Sequence, residues 1–235
     1  MPSQKHTGRY TCSVVTEGVR MTTVTQPTMT PTAHRILDTA AGLFYEHGLR
    51  AVGVERIAEE AETTKKTIYD RFGSKDGLIT AYLRQRCDRW HDYATAYVEE
   101  HQPVPGPDRV LAVLDALGSW MAVNSRGCGF VNAYAELAGT GHDGLPIIAE
   151  EKIWTRDYYI GLIGELDIPD AERRGREVAL VHEGAIVQLT AGAQPEAMAD
   201  ARALVGRLVA DGVTARDATP GTVGWAHDSE ARAGE

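Results

Sequence analysis

A run of basic and hydroxyl side chains between residues 64 and 75 carries the clearest chemical signal in this sequence of 235 residues. Lysine and arginine attract phosphate, and threonine and tyrosine hydroxyls donate hydrogen bonds to it. The same side chains reach the hydrogen-bonding groups on base edges. The set indicates a surface that binds a polyanion and consists of Thr64, Lys65, Lys66, Thr67, Tyr69, Arg71 and Lys75.

Two short helices must position these side chains. Apolar residues at helical spacing predict one helix over 54–61 and a second over 65–72, with Thr63 or Thr64 as the N-cap of the second. Neither helix is long enough to be stable alone, so both need a packing partner. The residues expected to pack on the Ile36/Ala40/Phe44 face of a preceding helix are Ile57, Ala58, Ala61, Ile68 and Phe72.

The two lysines occupy an unusual place in the second helix. Lys65 and Lys66 lie in its first turn, where a positive charge opposes the helix dipole. An external anion that binds there would remove the conflict, and phosphate is the obvious candidate. A solvated lysine pair with no partner is the alternative interpretation.

Helical spacing continues through most of the remaining chain. Pro31-Thr32 opens the first helix and Gly48 follows its end, while Ser74 is a natural N-cap for a long helix that ends near 101. No alternating run predicts a strand, so we expect an all-α protein. Further helices are predicted over 108–123, 130–138, 146–166, 170–192 and 196–211. Residues 1–30 and 214–235 have the composition of disordered segments.

The stretch from Arg35 to Trp90 resembles the DNA-binding domain of the TetR (tetracycline-repressor-like) family of bacterial transcription regulators. Two positions depart from the family pattern: Glu62 stands where a glycine is usual, and Asp70 where a base or neutral residue is common. The resemblance rests on Ile36-Leu37, Ala40, Leu43-Phe44 and Gly48, on Val52-Gly53-Val54 and Ile57-Ala58, on Thr64 to Tyr69 with Phe72, and on Ser74-Lys75-Asp76 with Leu78.

The resemblance implies a three-helix helix-turn-helix DNA-binding domain over 31–78 and a helical ligand-binding and dimerisation domain over 79–213. By position, Thr64, Tyr69 and Lys75 are the expected phosphate contacts, with Arg56 a further candidate. The expected readers of base edges are Lys65, Lys66 and Thr67, while Arg71 fits either role. The expected partner is a palindromic double-stranded DNA operator, bound by a homodimer.

The resemblance also implies a small-molecule effector in the C-terminal half. The helices over 170–192 and 196–211 are expected to form the dimer interface, although packing within one chain is the alternative. An aromatic-rich middle segment suits an apolar pocket with a few polar groups, although core packing would also explain it. The candidate ligand-binding residues are Trp120, Met121, Phe130, Asn132, Tyr134, Trp154, Tyr158 and His182.

Other classes of protein find little support in the sequence. Its three cysteines include no CxxC pair, so neither a disulfide framework nor a zinc ribbon is expected, and the cytoplasm is the default location. No apolar run is long enough for a membrane span. We find no catalytic motif, no metal-ligand spacing and no cofactor fingerprint, so we expect no enzyme, metal or cofactor. Cys128, between two glycines with Arg126 nearby, is a weak candidate for a redox sensor.

The net charge of -9 argues against DNA binding only until its distribution is considered. Residues 31–90 hold ten bases and nine acids, whereas residues 91–235 hold eleven bases and 23 acids. The acidic C-terminal half should therefore repel DNA from all but the basic face. The resemblance to the family implies a ligand-responsive repressor. The alternative, motivated by Glu62 and Asp70, is a helical ligand- or partner-binding protein of the same fold without specific DNA binding.

Overall fold

The protein was analysed as a computed structural model that describes residues 29–217. The predicted disorder of residues 1–28 and 218–235 lies outside this range. Within it, every regular element is an α-helix, as expected. None of these helices is both long and apolar enough to cross a membrane. The helices are α1 (Pro31–His47), α2 (Val54–Glu60), α3 (Lys65–Phe72), α4 (Lys75–His101), α5 (Pro107–Val123), α6 (Gly129–Leu137), α7 (Gly144–Gly164), α8 (Ala171–Thr190) and α9 (Ala197–Asp217).

Capping residues set the helix starts that the sequence predicts. The hydroxyl of Thr64 accepts from the backbone N–H of Thr67, and that of Ser74 accepts from the N–H of Gly77. Gly48 ends α1 with a φ of 89°, a backbone angle that favours glycine. These contacts confirm the predicted helix boundaries around the helix-turn-helix.

The C-terminal end of α9 was predicted wrongly. The sequence placed the last helix at 196–211 and a tail from 214, but α9 continues to Asp217. Packing extends the helix, because Gly212 is buried against α8 and the loop before it. Arg216 Nη1 also donates to the carbonyl of Leu166 at 2.9 Å.

A first apolar core joins the helix-turn-helix to the helices that follow. As predicted, Ile57, Ala58, Ala61 and Ile68 pack against α1 in this core, and Phe72 packs at its edge. The same core includes Phe130, Ala133 and Leu137 of α6 and Ile147 and Ile148 of α7. Apolar packing therefore continues across the predicted domain boundary after residue 78, and α4 crosses it as one uninterrupted helix.

A second apolar core lies among α4, α5, α7, α8 and α9. Helices α7 and α8 are in close contact at Gly175, where an added Cβ would lie 2.8 Å from the backbone of Ile160. Glycine is thus needed here for packing rather than for a turn. The two cores meet at Cys128, which packs against both.

Candidate nucleic-acid interface and internal cavity

Helix α3 presents most of the predicted DNA contacts on one outer face. Ile68 is completely buried in the first core, which sets the rotation of the helix about its axis. The exposed side then carries Lys65, Lys66, Tyr69 and Arg71, and Tyr69 is 46% exposed. Thr67 sits beside them, its hydroxyl 2.9 Å from that of the N-cap Thr64. The arrangement resembles a recognition helix whose first turn and outer face meet a DNA groove.

The turn before α3 explains why glycine is usual at position 62. Glu62 has a φ of 47°, in the left-handed region that costs a residue with a side chain about 1–2 kcal/mol. The turn is held from two sides: Arg35 of α1 donates to the carbonyl of Ala61 at 2.9 Å, and the N–H of Thr63 bonds to the carbonyl of Ala58 at 2.9 Å. Contacts with α1 and α2 hold the strained turn in place.

Three of the predicted DNA-contacting bases are paired with acids on the same surface. Lys65 Nζ lies 2.9 Å from Glu55 Oε1, and this hydrogen bond lowers the pKa of Glu55 and raises that of Lys65. Lys66 Nζ lies 3.0 Å from Asp70 Oδ2. Arg56 pairs with Glu60 at 2.8 Å. All three pairs are exposed, so phosphates can replace the acids at little cost.

Arg71 and Lys75 differ from these three. Neither forms an ion pair with any residue between 29 and 217, so their charges are available to a phosphate. Lys75 Nζ reaches only the carbonyl of Arg50, at 3.4 Å, beside the N-terminus of α4. Thr64, Lys65, Lys66, Thr67, Tyr69 and Arg71 are thus brought together on α3, with Lys75 and Arg56 at neighbouring helix starts.

A small cavity lies between α4, α5, α6, α7 and α8. Its volume is about 30 Å³, which is room for about two water molecules. Four of the eight predicted ligand-binding residues line it: Trp120 and Met121 of α5, Phe130 of α6 and His182 of α8. On the side of α4 and α5, Trp90 and Leu117 add apolar surface, and Arg86 of α4 is the charged residue there.

The cavity also has a charged side, formed by α7 and α8. Lys152 Nζ donates to Glu183 Oε1 at 2.7 Å and lies 3.1 Å from Glu151 Oε2. Burial alone would lower the pKa of Lys152, but Cys128, Glu151 and Glu183 together raise it, so the ammonium stays charged. Burial raises the pKa of Glu151, which favours its neutral form.

His182 is a buried, neutral member of the cavity wall. Its Nδ1 lies 3.0 Å from the hydroxyl of Tyr159, which is itself fully buried. Burial, with a smaller contribution from Lys152, lowers the pKa of His182 to about 3. Within residues 29–217, no group of three or more histidine, cysteine, aspartate or glutamate side chains is placed to hold a metal ion.

The other four predicted ligand-binding residues lie outside this cavity. Asn132 donates to the carbonyl of Arg126 at 2.9 Å, and Tyr134 is 55% exposed on the outer side of α6. Trp154 stacks on His91 with 3.7 Å between ring centroids and on Tyr158 at 5.0 Å, in the contact between α4 and α7. These residues face away because successive turns of α6 and α7 place them on other sides of their helices.

Comparisons with known proteins agree with this geometry. Residues 36–82 match the family model for bacterial regulatory proteins of the tetR family. An HTH-type transcriptional regulator from Bacillus subtilis, YvkB, is 44% identical over 57 residues, which make up 24% of this chain and 30% of that protein. The shared segment therefore spans less than a third of this curated relative.

Solved structures extend the similarity beyond the N-terminal segment. A TetR-family transcriptional regulator from Streptomyces coelicolor superposes with a TM-score of 0.70 at 28% identity, covering 77% of this chain and 96% of that one. Residues 36–82 therefore match the DNA-binding segment of the TetR family, and the fold of the described residues is similar to that of a TetR-family regulator. A second regulator, from Streptomyces avermitilis, has the same fold, with a TM-score of 0.65 at 24% identity and coverage of 80% and 99%. The matched proteins are transcriptional regulators, not enzymes.

Helix α6 links the cavity to the helix-turn-helix. Its first residues, Gly129 and Phe130, line the cavity. Near its other end, the Glu136 carboxylate accepts hydrogen bonds from the backbone N–H groups of Leu49 at 2.8 Å and Arg50 at 2.7 Å. The Arg50 side chain donates to the carbonyl of Glu136 at 2.6 Å. We call this set of contacts the Glu136 clasp.

Tyr45 of α1 forms a second connection. Its hydroxyl donates to the carbonyl of Gly127 at 3.1 Å and accepts from the N–H of Arg126 at 3.0 Å. The guanidinium carbon of Arg86, on α4, lies 4.6 Å from the centroid of the Tyr45 ring. Arg86 and Gly127 also line the cavity, so Tyr45 of α1 directly contacts two residues of the cavity wall.

Sequence reasoning missed several residues of the cavity, among them Arg86, Trp90, Glu151 and Lys152. Arg86 and Trp90 are four residues apart on α4, a spacing that places them on one face, so this pair was detectable. The position of Lys152 Nζ, 3.3 Å from Cys128 Sγ, was not, because the two residues lie on separate elements. Arg126 was the only base that the sequence placed near Cys128.

Proposed function

We propose that the chain is a homodimeric transcriptional regulator that binds a palindromic operator through α3 and is released by a small-molecule effector. The observation that carries the proposal is the outer face of α3, where basic and hydroxyl side chains surround an N-capped first turn. Thr64, Tyr69 and Lys75 are assigned to phosphates, with Arg56 beside them, and Lys65, Lys66 and Thr67 to base edges. Arg71 lies between the two groups.

An unpartnered apolar stripe on α8 supports the dimer. Leu180 and Val187, seven residues and two turns apart, are 74% and 52% exposed. Gly184 lies between them, and a Cβ there would have no contact within 4 Å among residues 29–217 outside its own stretch of helix. On α9, Leu204 is also exposed. Burying these side chains against a second copy would form a four-helix interface and set two α3 helices about 34–36 Å apart, the spacing of successive major grooves.

The effector step follows from the cavity and its links to the helix-turn-helix. An effector that enters the cavity must displace side chains, because the present volume holds only about two waters. Movement of Arg86 or of the start of α6 would then act on Tyr45 and on the Glu136 clasp. The effector lowers operator affinity only to the extent that it binds the two forms of the dimer differently.

A gel-shift titration with the DNA immediately upstream of the gene tests DNA binding. Tyr69→Ala should weaken the wild-type complex strongly, whereas Tyr134→Ala, a comparably exposed tyrosine on α6, should leave it unchanged. Thermal unfolding of both variants checks the fold. Equal affinity of the two variants would contradict the role of α3, and no salt-sensitive wild-type complex would favour the helical ligand-binding protein without DNA binding.

A further inference from the structure

Arg86 is a cation in the cavity wall with no matching acid. Its guanidinium carbon lies 5.9 Å from the ring centroids of both Trp120 and Phe130, in addition to its contact with Tyr45. Two neighbouring arginines on α4 are paired, Arg84 with Glu150 and Arg89 with Asp38. Arg86 forms no ion pair with any residue between 29 and 217. The hydroxyl of Tyr82, its hydrogen-bond partner, is neutral and leaves the charge uncompensated.

The start of α6 adds further positive potential at the same place. The guanidinium packs against the backbone of Gly129, where an added Cβ would lie 2.5 Å from Arg86 Nε. Cys128, the N-cap of α6, gives the first-turn amides no side-chain cap. A cation next to an uncapped helix N-terminus is unfavourable, because the N-terminus carries a partial positive charge that repels the cation. An anion in the cavity would satisfy both groups at once.

The other titratable groups that line the cavity are Lys152, Glu151, His182 and Cys128. Lys152 is neutralised by Glu183, and His182 is uncharged. Glu151 is almost completely buried, and its Oε2, although 3.1 Å from the Lys152 ammonium, has no hydrogen-bond partner among the described residues. Burial raises the pKa of Glu151, and in its protonated form this carboxyl group would donate a hydrogen bond to an anion. Of the two bases that line the cavity, Lys152 has acidic partners, whereas Arg86 forms no ion pair with any residue between 29 and 217.

From this arrangement we infer that the cavity binds a small monocarboxylate with a planar apolar body. Arg86 and the first amides of α6 bind the carboxylate, Glu151 donates to it, and the rings of Trp90 and Trp120 cover the apolar body. A cationic ligand is disfavoured, since Arg86 and Lys152 would repel it. When Arg86 turns to the carboxylate, it leaves the ring of Tyr45, so occupancy is transmitted to α1.

This inference rests on the proposed function only for the effect on DNA, so ligand binding is measured on the free, full-length protein. Trp90 and Trp120 report occupancy through their intrinsic fluorescence. The probes are benzoate and crotonate, with benzamide and benzylamine as neutral and cationic analogues of similar shape. We expect saturable binding of the carboxylates, about 10- to 100-fold tighter than benzamide, the range that a charge-assisted hydrogen bond provides.

Substitutions locate the charge. Arg86→Gln should remove the preference for benzoate over benzamide, Arg86→Lys should keep part of it, and Arg84→Gln, on the same helix, should keep all of it. Glu151→Gln, which preserves a hydrogen-bond donor, should still bind benzoate. Circular dichroism checks each fold, and if Arg86→Gln does not fold, the comparison of analogues on the wild-type protein decides.

Three results would overturn the inference. Benzamide or benzylamine could bind as tightly as benzoate, Arg86→Gln could keep the full preference, or no carboxylate could bind saturably up to about 10 mM, already weak for a ligand of this size. The DNA titration above is independent of these outcomes. Operator binding without carboxylate binding rejects the ligand class alone, and carboxylate binding without operator release rejects the effector step alone.

Discussion

Replacing Asp70 by asparagine should tighten operator binding, which makes Asp70 the most informative single position on α3. Asp70 holds Lys66 in an exposed ion pair, with 3.0 Å between Nζ and Oδ2. It also lies near the C-terminal end of the helix, where a negative charge is unfavourable. The account therefore predicts that the wild-type chain binds DNA less tightly than its bases would allow.

The expected gain follows from two contributions per half-site. DNA must break the Lys66–Asp70 pair, and an exposed pair of this spacing contributes about 0.3–0.5 kcal/mol. The Asp70 carboxylate also repels a phosphate about 8 Å away by roughly 0.2–0.5 kcal/mol, depending on salt. For two half-sites the sum is about 1–2 kcal/mol, a roughly 5- to 30-fold lower Kd.

Fluorescence anisotropy with a labelled operator at two salt concentrations measures this gain. Glu172→Gln is the control, because Glu172 forms an exposed pair of the same spacing with Arg176 on α8 and its loss changes the total charge equally. The gain for Asp70→Asn should shrink as salt rises, and the free energy of unfolding should change by less than about 0.5 kcal/mol. An affinity equal to or below that of Glu172→Gln would refute the assignment of α3 to the DNA.

Three further predictions concern the rest of the molecule. Leu180→Glu should convert the proposed dimer to a monomer in analytical ultracentrifugation, since it places a charge in the α8 stripe; a dimer that persists at wild-type strength would move the interface elsewhere. Glu136→Ala should lower the free energy of unfolding in urea by about 1–3 kcal/mol, because two backbone N–H groups lose a charged acceptor, with Glu136→Gln intermediate; no change would mean that the clasp does not stabilise the fold. Acid should destabilise the protein through His182: its unfolded pKa is 6.5 and its folded pKa about 3, so the unfolded state takes up the proton first and stability falls as pH drops below 6.5. Through His182 alone, the free energy of unfolding should fall by about 2 kcal/mol by pH 5. His182→Asn should therefore lose less stability than the wild type over this interval, and its remaining loss comes from His91, because burial lowers the pKa of His91 to about 4. The same slope of stability against pH in both proteins would contradict the neutral, buried state of His182.

Local signals were sufficient to predict most helices of this protein. Thr64 and Ser74 start their helices as N-caps, and Gly48 ends α1, because each effect depends on neighbouring residues alone. The end of α9 was wrong for the opposite reason. Contacts with residues about fifty positions earlier, such as that between Arg216 and Leu166, extend the helix beyond the point where its composition becomes polar.

In the candidate sites, too, contacts between neighbouring residues were predictable from the sequence, and contacts between separate helices were not. The Lys66–Asp70 pair lies within one helical turn and is readable from the sequence, whereas the pair of Lys65 with Glu55 crosses the turn between two helices and depends on how they pack. The cavity combines side chains from five helices, so periodicity identified only those with conspicuous aromatic or polar character. Arg86 was overlooked because nothing local distinguishes it from the paired Arg84 and Arg89.

Selection of random duplex DNA by the full-length protein is the most direct test of operator binding, because it requires both a dimer and sequence reading by α3. The account predicts that the enriched sequences share an inverted repeat whose half-site centres lie about one helical turn, 34–36 Å, apart or a multiple of it. It also predicts that Lys66→Ala relaxes the preference within each half-site. Two results would contradict operator reading by α3: the wild-type protein enriches no inverted repeat, or Lys66→Ala enriches the same repeat with undiminished selectivity.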